Sequence, residues 1–196
     1  MATTRITGGE WRGRVIDTPR GATTRPTRSL IREALFNIVG DVDGARLLDL
    51  YAGAGTVGFE ALSRGAAAVT FVDRDRAALA AITATAERLH CADRCAAITA
   101  HVPPWVRRAG PEIASFDLCF IDAPYRDPDL DRVLRSVGAN PPRLVVCEHH
   151  RDRRLAEHIG GLELTRQVRH GLTTLSFLMN ADRSAAHTWP PSATDV

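Results

Sequence analysis

Residues 47–58, Leu47-Leu48-Asp49-Leu50-Tyr51-Ala52-Gly53-Ala54-Gly55-Thr56-Val57-Gly58, constrain this chain more than any other stretch. The unbroken apolar run reads as a strand buried on both faces, and the glycines after it as a tight turn that opens a helix. Strand, turn and helix in that order build a nucleotide-sized pocket at the carboxyl edge of a parallel sheet.

The rest of the chain repeats the alternation. Residues 68–73 form a second buried strand, followed by a helix over 75–90 with Leu79, Ile82, Ala86 and Leu89 on one face. Further strands are predicted within 95–99, over 116–121 and over 143–148. Between the last two, Asp127-Pro128 caps a helix that turns Leu130, Val133, Leu134 and Val137 inward. Residues 162–168 and 173–179, joined through His170-Gly171, read as a hairpin. Ahead of the glycine turn, residues 26–39 carry apolar side chains at helical spacing, with Thr27 as cap and Arg28, Arg32 and Glu33 on the polar face. Residues 5–22 are short β-prone pieces cut by glycine and proline, a small hairpin presenting arginines. The expected architecture is α/β: a doubly wound, mostly parallel sheet with a terminal antiparallel hairpin. Its parts are a basic β-hairpin extension over 1–24, a main domain over 25–180 and a disordered tail over 181–196.

At 196 residues, with 44% hydrophobic and 24% charged, the composition fits one soluble domain. No apolar run reaches a membrane span and the first residues lack a signal-peptide core, so the expectation is a cytoplasmic protein without membrane contact. Net charge is +2, and every one of the 25 basic residues is arginine. Arg5, Arg12, Arg14, Arg20, Arg25, Arg28 and Arg32 meet only Glu10, Asp17 and Glu33 in the first 40 residues, a basic segment suited to a polyanion. The four cysteines, Cys91, Cys95, Cys119 and Cys147, match no zinc spacing and are expected to be free thiols, with no metal site.

Gly53-x-Gly55-x-x-Gly58 with Asp73 on the next strand satisfies the dinucleotide fingerprint, but Asp49 ahead of the glycines would oppose a pyrophosphate. S-adenosylmethionine has no phosphate and carries a sulfonium and an ammonium, so Asp49 favours it, and Asp73 can take the ribose hydroxyls. Asp122-Ala123-Pro124-Tyr125 ends a strand at the same edge. Asp122 and the Ala123 carbonyl can accept hydrogen bonds from an exocyclic amine, Pro124 stiffens the turn, and the Tyr125 ring can carry a stacked base. Methyl transfer to an amine, mainly by positioning, is one use of such a pair of sites; taken alone, Asp122-Ala123-Pro124-Tyr125 reads equally well as an ordinary turn before the Asp127 cap.

These residues resemble a known family. Arg5-Ile6-x-Gly8-Gly9-x-Trp11-Arg12-Gly13-Arg14, Thr24-Arg25-Pro26-Thr27, Arg32-Glu33-Ala34-Leu35-Phe36-Asn37, Asp49-Leu50-Tyr51-Ala52-Gly53-x-Gly55 and Glu60-Ala61-Leu62-Ser63-Arg64-Gly65 are similar to the RsmD-type methyltransferases. The resemblance implies a Rossmann-like class I methyltransferase fold with a seven-stranded sheet, and transfer from S-adenosylmethionine to N2 of a guanine in 16S ribosomal RNA. It implies cofactor contacts from Asp49, Tyr51, Ala52, Gly53, Gly55, Asp73, Arg74 and His101, and catalysis at Asp122, Ala123, Pro124 and Tyr125. RNA contacts are expected from Arg12, Arg14, Arg25, Thr27, Arg28 and Arg32. The partner would be 16S RNA or the assembling 30S subunit, met by a monomer. The chain departs from the family at Ala123, where a first proline is usual, at His101, where an acid or amide meets adenine, and at Ser29 and Leu30. Other readings are an amino-methyltransferase on DNA or another RNA, an RNA-binding relative with weakened catalysis, and, more remotely, a nicotinamide enzyme.

Overall fold

The structure, a computed structural model, describes residues 3–18, 26–125 and 127–183, with residues 3 and 26–28 described by their backbone alone. A separate antiparallel pair, β1 (Thr3–Arg5) and β2 (Val15–Asp17), precedes helix α1 (Pro26–Val39). The main domain then runs β3 (Arg46–Leu50), α2 (Thr56–Ser63), β4 (Ala68–Asp73), α3 (Arg76–Arg88), β5 (Cys95–Thr99), α4 (Val102–Ala109) and β6 (Leu118–Asp122). It continues through α5 (Leu130–Gly138), β7 (Leu144–His150), β8 (His158–Ile159), β9 (Leu162–His170) and β10 (Thr173–Asn180).

The main sheet has the order β5-β4-β3-β6-β7-β10-β9-β8. From β5 to β7 the pairs are parallel, and from β7 onward antiparallel. The predicted seven strands are present, and the two-residue β8, too short for any sequence pattern, adds an eighth at the edge. Alternate residues of each strand feed two cores. Leu47 of β3 and Phe71 of β4 face one that takes in Leu35, Phe36, Phe59 and Ile82 of the first three helices. Leu48 and Leu50 of β3 face the other, with Val106 of α4 and Val133 of α5. Helices on both faces are what make the parallel strands apolar throughout.

Four expectations need correction. Helix α4 and the 3-10 turn Gly110–Ser115 occupy a stretch where no helix was expected. Pro103 and Pro104 lie in the first turn of α4, where a missing N–H costs nothing, and Val102, Trp105 and Val106 bury its inner face. The cap of α5 is Asp129 rather than Asp127, whose carboxylate instead accepts from the Asp129 N–H at 2.8 Å. In the N-terminal segment the strands are shorter than predicted, so residues 6–14 form the connecting loop. Of the presumed tail, 181–183 form a 3-10 turn and Ala181 N–H donates to the Gly161 carbonyl at 2.9 Å, while 184–196 lie outside the described residues.

The N-terminal loop is fastened to the back of α2. Ile6 and Trp11 are buried, Trp11 N–H donates to Ser63 Oγ at 2.9 Å, and Ser63 Oγ donates to the Gly8 carbonyl at 2.7 Å. Gly9 has φ +76°, and a Cβ there would collide with the Ser63 carbonyl, so glycine is required twice over. Beside this contact Glu60 is fully buried. It accepts from Arg32 Nε at 3.0 Å, from Arg64 Nη2 at 3.0 Å and from both the N–H and hydroxyl of Thr7 at 2.8 and 2.7 Å.

Candidate active site

The strand order reverses between β3 and β6: the chain leaves β3 outward to β4 and β5, then returns to β6 on its other side. Ligands of such sheets collect at the carboxyl ends of the strands flanking that point. Three carboxylates converge there, Asp49 on β3, Asp73 at the end of β4 and Asp122 at the end of β6.

The glycine turn is built on backbone geometry that only part of its sequence favours. Tyr51, Gly53 and Gly55 all have positive φ, at 61°, 52° and 70°. For tyrosine this is a strained conformation of the kind concentrated at functional sites. A Cβ on Gly55 would lie 2.9 Å from Phe71, so this glycine serves packing, whereas Gly53 has open space where its Cβ would be. A ligand can therefore lie against the Gly53 backbone. Gly53 N–H is held by Asp73 Oδ2 at 2.8 Å, and Asp73 Oδ1 accepts from Asp75 N–H at 2.9 Å. Asp49 accepts from the Gly58 N–H at 3.2 Å, tying the first turn of α2 to β3.

Asp49 is almost fully buried, and burial pushes its carboxyl well above the ordinary aspartate value of 3.8. The Gly58 N–H opposes that rise, while Asp122 and Asp73 add to it by like-charge repulsion. Three mutually repelling carboxylates beside an open glycine backbone make a site for a cation that also carries hydroxyls. S-adenosylmethionine, which carries a sulfonium, an ammonium and two ribose hydroxyls, fits this chemistry.

A prediction follows from the Asp49 shift. The folded protein holds this proton to higher pH than the unfolded chain, so the stability it contributes is complete below pH 3.8 and is lost as pH climbs through the raised value. A cationic ligand favours the charged form. Affinity for S-adenosylmethionine is therefore expected to rise as pH climbs through the raised Asp49 value, with a proton released on binding below it. Calorimetry in two buffers of different ionisation enthalpy measures that proton, and Asp49→Asn should abolish it. Proton release unchanged in the variant would remove Asp49 from this role.

The remaining expected cofactor residues lie on the same rim. Ala52 N–H donates to the Val72 carbonyl at 3.2 Å, and exposed Arg74 follows Asp73. His101 is exposed just before α4, and the neighbouring Ala100 N–H donates to the Asp73 carbonyl at 2.8 Å. The Tyr51 phenol faces Asp127, and burial together with that carboxylate pushes its pKa up.

At the end of β6, Ala123 is buried and Pro124 exposed. Tyr125 is 45% exposed, with its ring edge-on to His150 at 5.6 Å between centroids and its hydroxyl 2.6 Å from Thr173 Oγ1. Thr173 and His150 face each other across the β10–β7 pair. Sequence reasoning missed both as supports of Tyr125, since nothing local in either segment points to a residue about 25 to 50 positions away.

The expected RNA contacts divide. Arg12 and Arg14 are exposed, but their loop sits at the far end of α2, about 12 Å along the helix from the glycine turn. Arg25 lies outside the described residues, as do the side chains of Thr27 and Arg28. Arg32 is a correction. It is 3% exposed, paired with Glu60 and donating from Nη2 to the Arg5 carbonyl at 2.6 Å, so it braces the fold and does not reach RNA.

Fold and carboxylate cluster together define a class I methyltransferase. The chain matches the family described as Conserved hypothetical protein 95 over residues 4–179, and it belongs to that family, the RsmD-type methyltransferases. Bacillus subtilis YlbH, whose name places it among the rRNA methyltransferases, is 33% identical over 174 residues, 86% of this chain and 95% of YlbH. Ribosomal RNA small subunit methyltransferase D of Escherichia coli K12 is 33% identical over 137 residues, 69% of this chain and 67% of that protein. The structure of the Escherichia coli methyltransferase yhhF superposes with a TM-score of 0.78 at 27% identity, covering 91% of this chain and 98% of that one.

Proposed function

We propose that this protein transfers a methyl group from S-adenosylmethionine to the exocyclic N2 amine of a guanine in 16S ribosomal RNA, acting as a monomer in the cytoplasm on RNA or an assembling 30S subunit. The observation that carries the reading is the convergence of Asp49, Asp73 and Asp122 at the switch point, beside a half-exposed aromatic ring. When bound, the cofactor supplies an electrophilic methyl on sulfur. Asp49 and Asp122 balance its positive charge, Asp73 orients the ribose, and Gly53 lets it lie close to the backbone. His101 stands at the rim where adenine is expected.

Asp122 and the Ala123 carbonyl accept hydrogen bonds from the guanine amine, which aims its nitrogen at the methyl carbon. An amine nitrogen that took the methyl from sulfur would become cationic. Asp122 stabilises that charge until the proton leaves to the carboxylate or to water. The replacement of proline by Ala123 leaves this carbonyl in place. Tyr125 stacks the flipped base, its ring fixed by Thr173 and His150. Arg12, Arg14, Arg25, Thr27 and Arg28 meet the RNA backbone away from the reacting base. Among the described residues no helix is long and apolar enough to cross a membrane.

The test is labelled methyl transfer onto 30S particles and 16S RNA from cells lacking the protein, followed by nucleoside analysis. N2-methylguanosine is the expected product; N6-methyladenosine, or methylation of DNA alone, would overturn the substrate.

A further inference from the structure

Three large apolar side chains are prominently exposed among the described residues: Leu30, Tyr125 and Leu172. Two of them lie at one corner, joined through Thr173. Leu172, 55% exposed, occupies the two-residue tip between β9 and β10, and the next residue, Thr173, is the one whose Oγ1 lies 2.6 Å from the Tyr125 hydroxyl. Since β10 runs antiparallel to β7, this tip projects past the edge of the sheet at which Asp122 ends β6. The tip is fixed to its neighbour, with Arg151 N–H donating to the Leu172 carbonyl at 2.9 Å. Tight turns favour glycine, asparagine, aspartate and serine; Gly171, at φ +61°, meets that need, and leucine adds nothing to it. An exposed leucine there needs another reason.

The surroundings are cationic. Arg151 follows β7 and Arg169 is the penultimate residue of β9, both exposed, and Arg169 makes no ion pair among the described residues. Arg151 is joined only loosely to Asp152, at 3.6 Å between two exposed groups.

We infer that the Gly171-Leu172 tip is a nucleic-acid wedge: Leu172 fills the space that the target guanine leaves when it rotates out onto Tyr125, and Arg151 and Arg169 contact the flanking phosphates. Proteins that open a base stack use an apolar side chain in this way, and the unstacking it offsets is a substantial barrier to reaching an exocyclic amine. A lone leucine between two arginines suits a gap in a stack with phosphates on either side, and offers too little apolar area to hold a protein partner. The wedge rests on the proposed RNA methylation.

Methyl transfer is measured on 30S particles from cells lacking the protein, alongside melting temperature and calorimetric affinity for S-adenosylmethionine. Wild-type transfer establishes the underlying reading, and its absence would sink that reading independently of the wedge. Leu172→Ala is expected to lower kcat/KM about tenfold, and Leu172→Phe to stay within about twofold of wild type, with melting and cofactor affinity unchanged in both. Full activity in Leu172→Ala, equal losses in the two variants, or a fall in melting temperature parallel to activity would overturn the wedge. Leu172→p-benzoylphenylalanine should cross-link to RNA on irradiation of the particles; cross-linking to protein alone, or none to RNA, would also overturn it.

Discussion

Replacing Asp122 with alanine is expected to lower kcat for methyl transfer by about 100- to 10,000-fold and to weaken affinity for S-adenosylmethionine by a smaller factor, while the protein remains folded. Asp122 ends β6 at the edge of the buried sheet without filling the core, so its removal leaves no cavity. In the proposed reaction it faces the positive charge that forms on the amine as the methyl arrives. Asp122→Asn keeps an acceptor oxygen but loses the charge, and should fall between alanine and wild type. The measurement is single-turnover transfer with the cofactor saturating, together with circular dichroism. An alanine variant with undiminished turnover would move the chemistry elsewhere on the rim.

A comparably large effect, on stability, is expected from Glu60→Ala. Its carboxylate is fully buried and is the common acceptor for Arg32, Arg64 and Thr7. Removing it leaves the Arg32 guanidinium, itself 3% exposed, with an uncompensated charge in the core. Breaking a buried pair from one side costs about 3–5 kcal/mol, which for a chain of this size is a fall of roughly 10 °C or more in melting temperature. The contrast that isolates the mechanism is Arg32→Met with Glu60→Met, which removes both charges and should recover much of the loss. A double variant no more stable than Glu60→Ala would show that the hydrogen bonds to Thr7, more than the stranded charge, set the cost.

Glu60 and Arg32 also show where the sequence stopped being legible. Periodicity correctly placed α1 over residues 26–39 and put Arg32 on its polar side, but a polar face is not always a wet one. The partner that buries Arg32 lies 28 positions away, and no local pattern records it. Buried strands were readable because both faces are apolar, as in Leu47-Leu48 and Phe71-Val72. Helix α4 was hidden because Pro103-Pro104 resembles a break, although proline in a first turn is harmless. In the candidate site, Asp49, Asp73 and Asp122 could be found because strand ends are legible and the resemblance marked them. The clamp on Tyr125 could not, because it depends on the register of β10 against β7.

That register also gives the protein a timetable. β10 is the last described strand, yet it lies inside the sheet, hydrogen-bonded to β7 on one side and β9 on the other. A nascent chain emerging from the ribosome can pair β3 with β4 and β6 early. Until residues 173–180 appear, β7 has a bare edge, β9 has no partner between itself and the sheet, and Tyr125 has no Thr173 to hold it. Tyr125 therefore gains its clamp only after residues 173–180 have been made, and a chain stalled short of them carries the glycine turn and Asp122 without the hydroxyl that holds the Tyr125 ring.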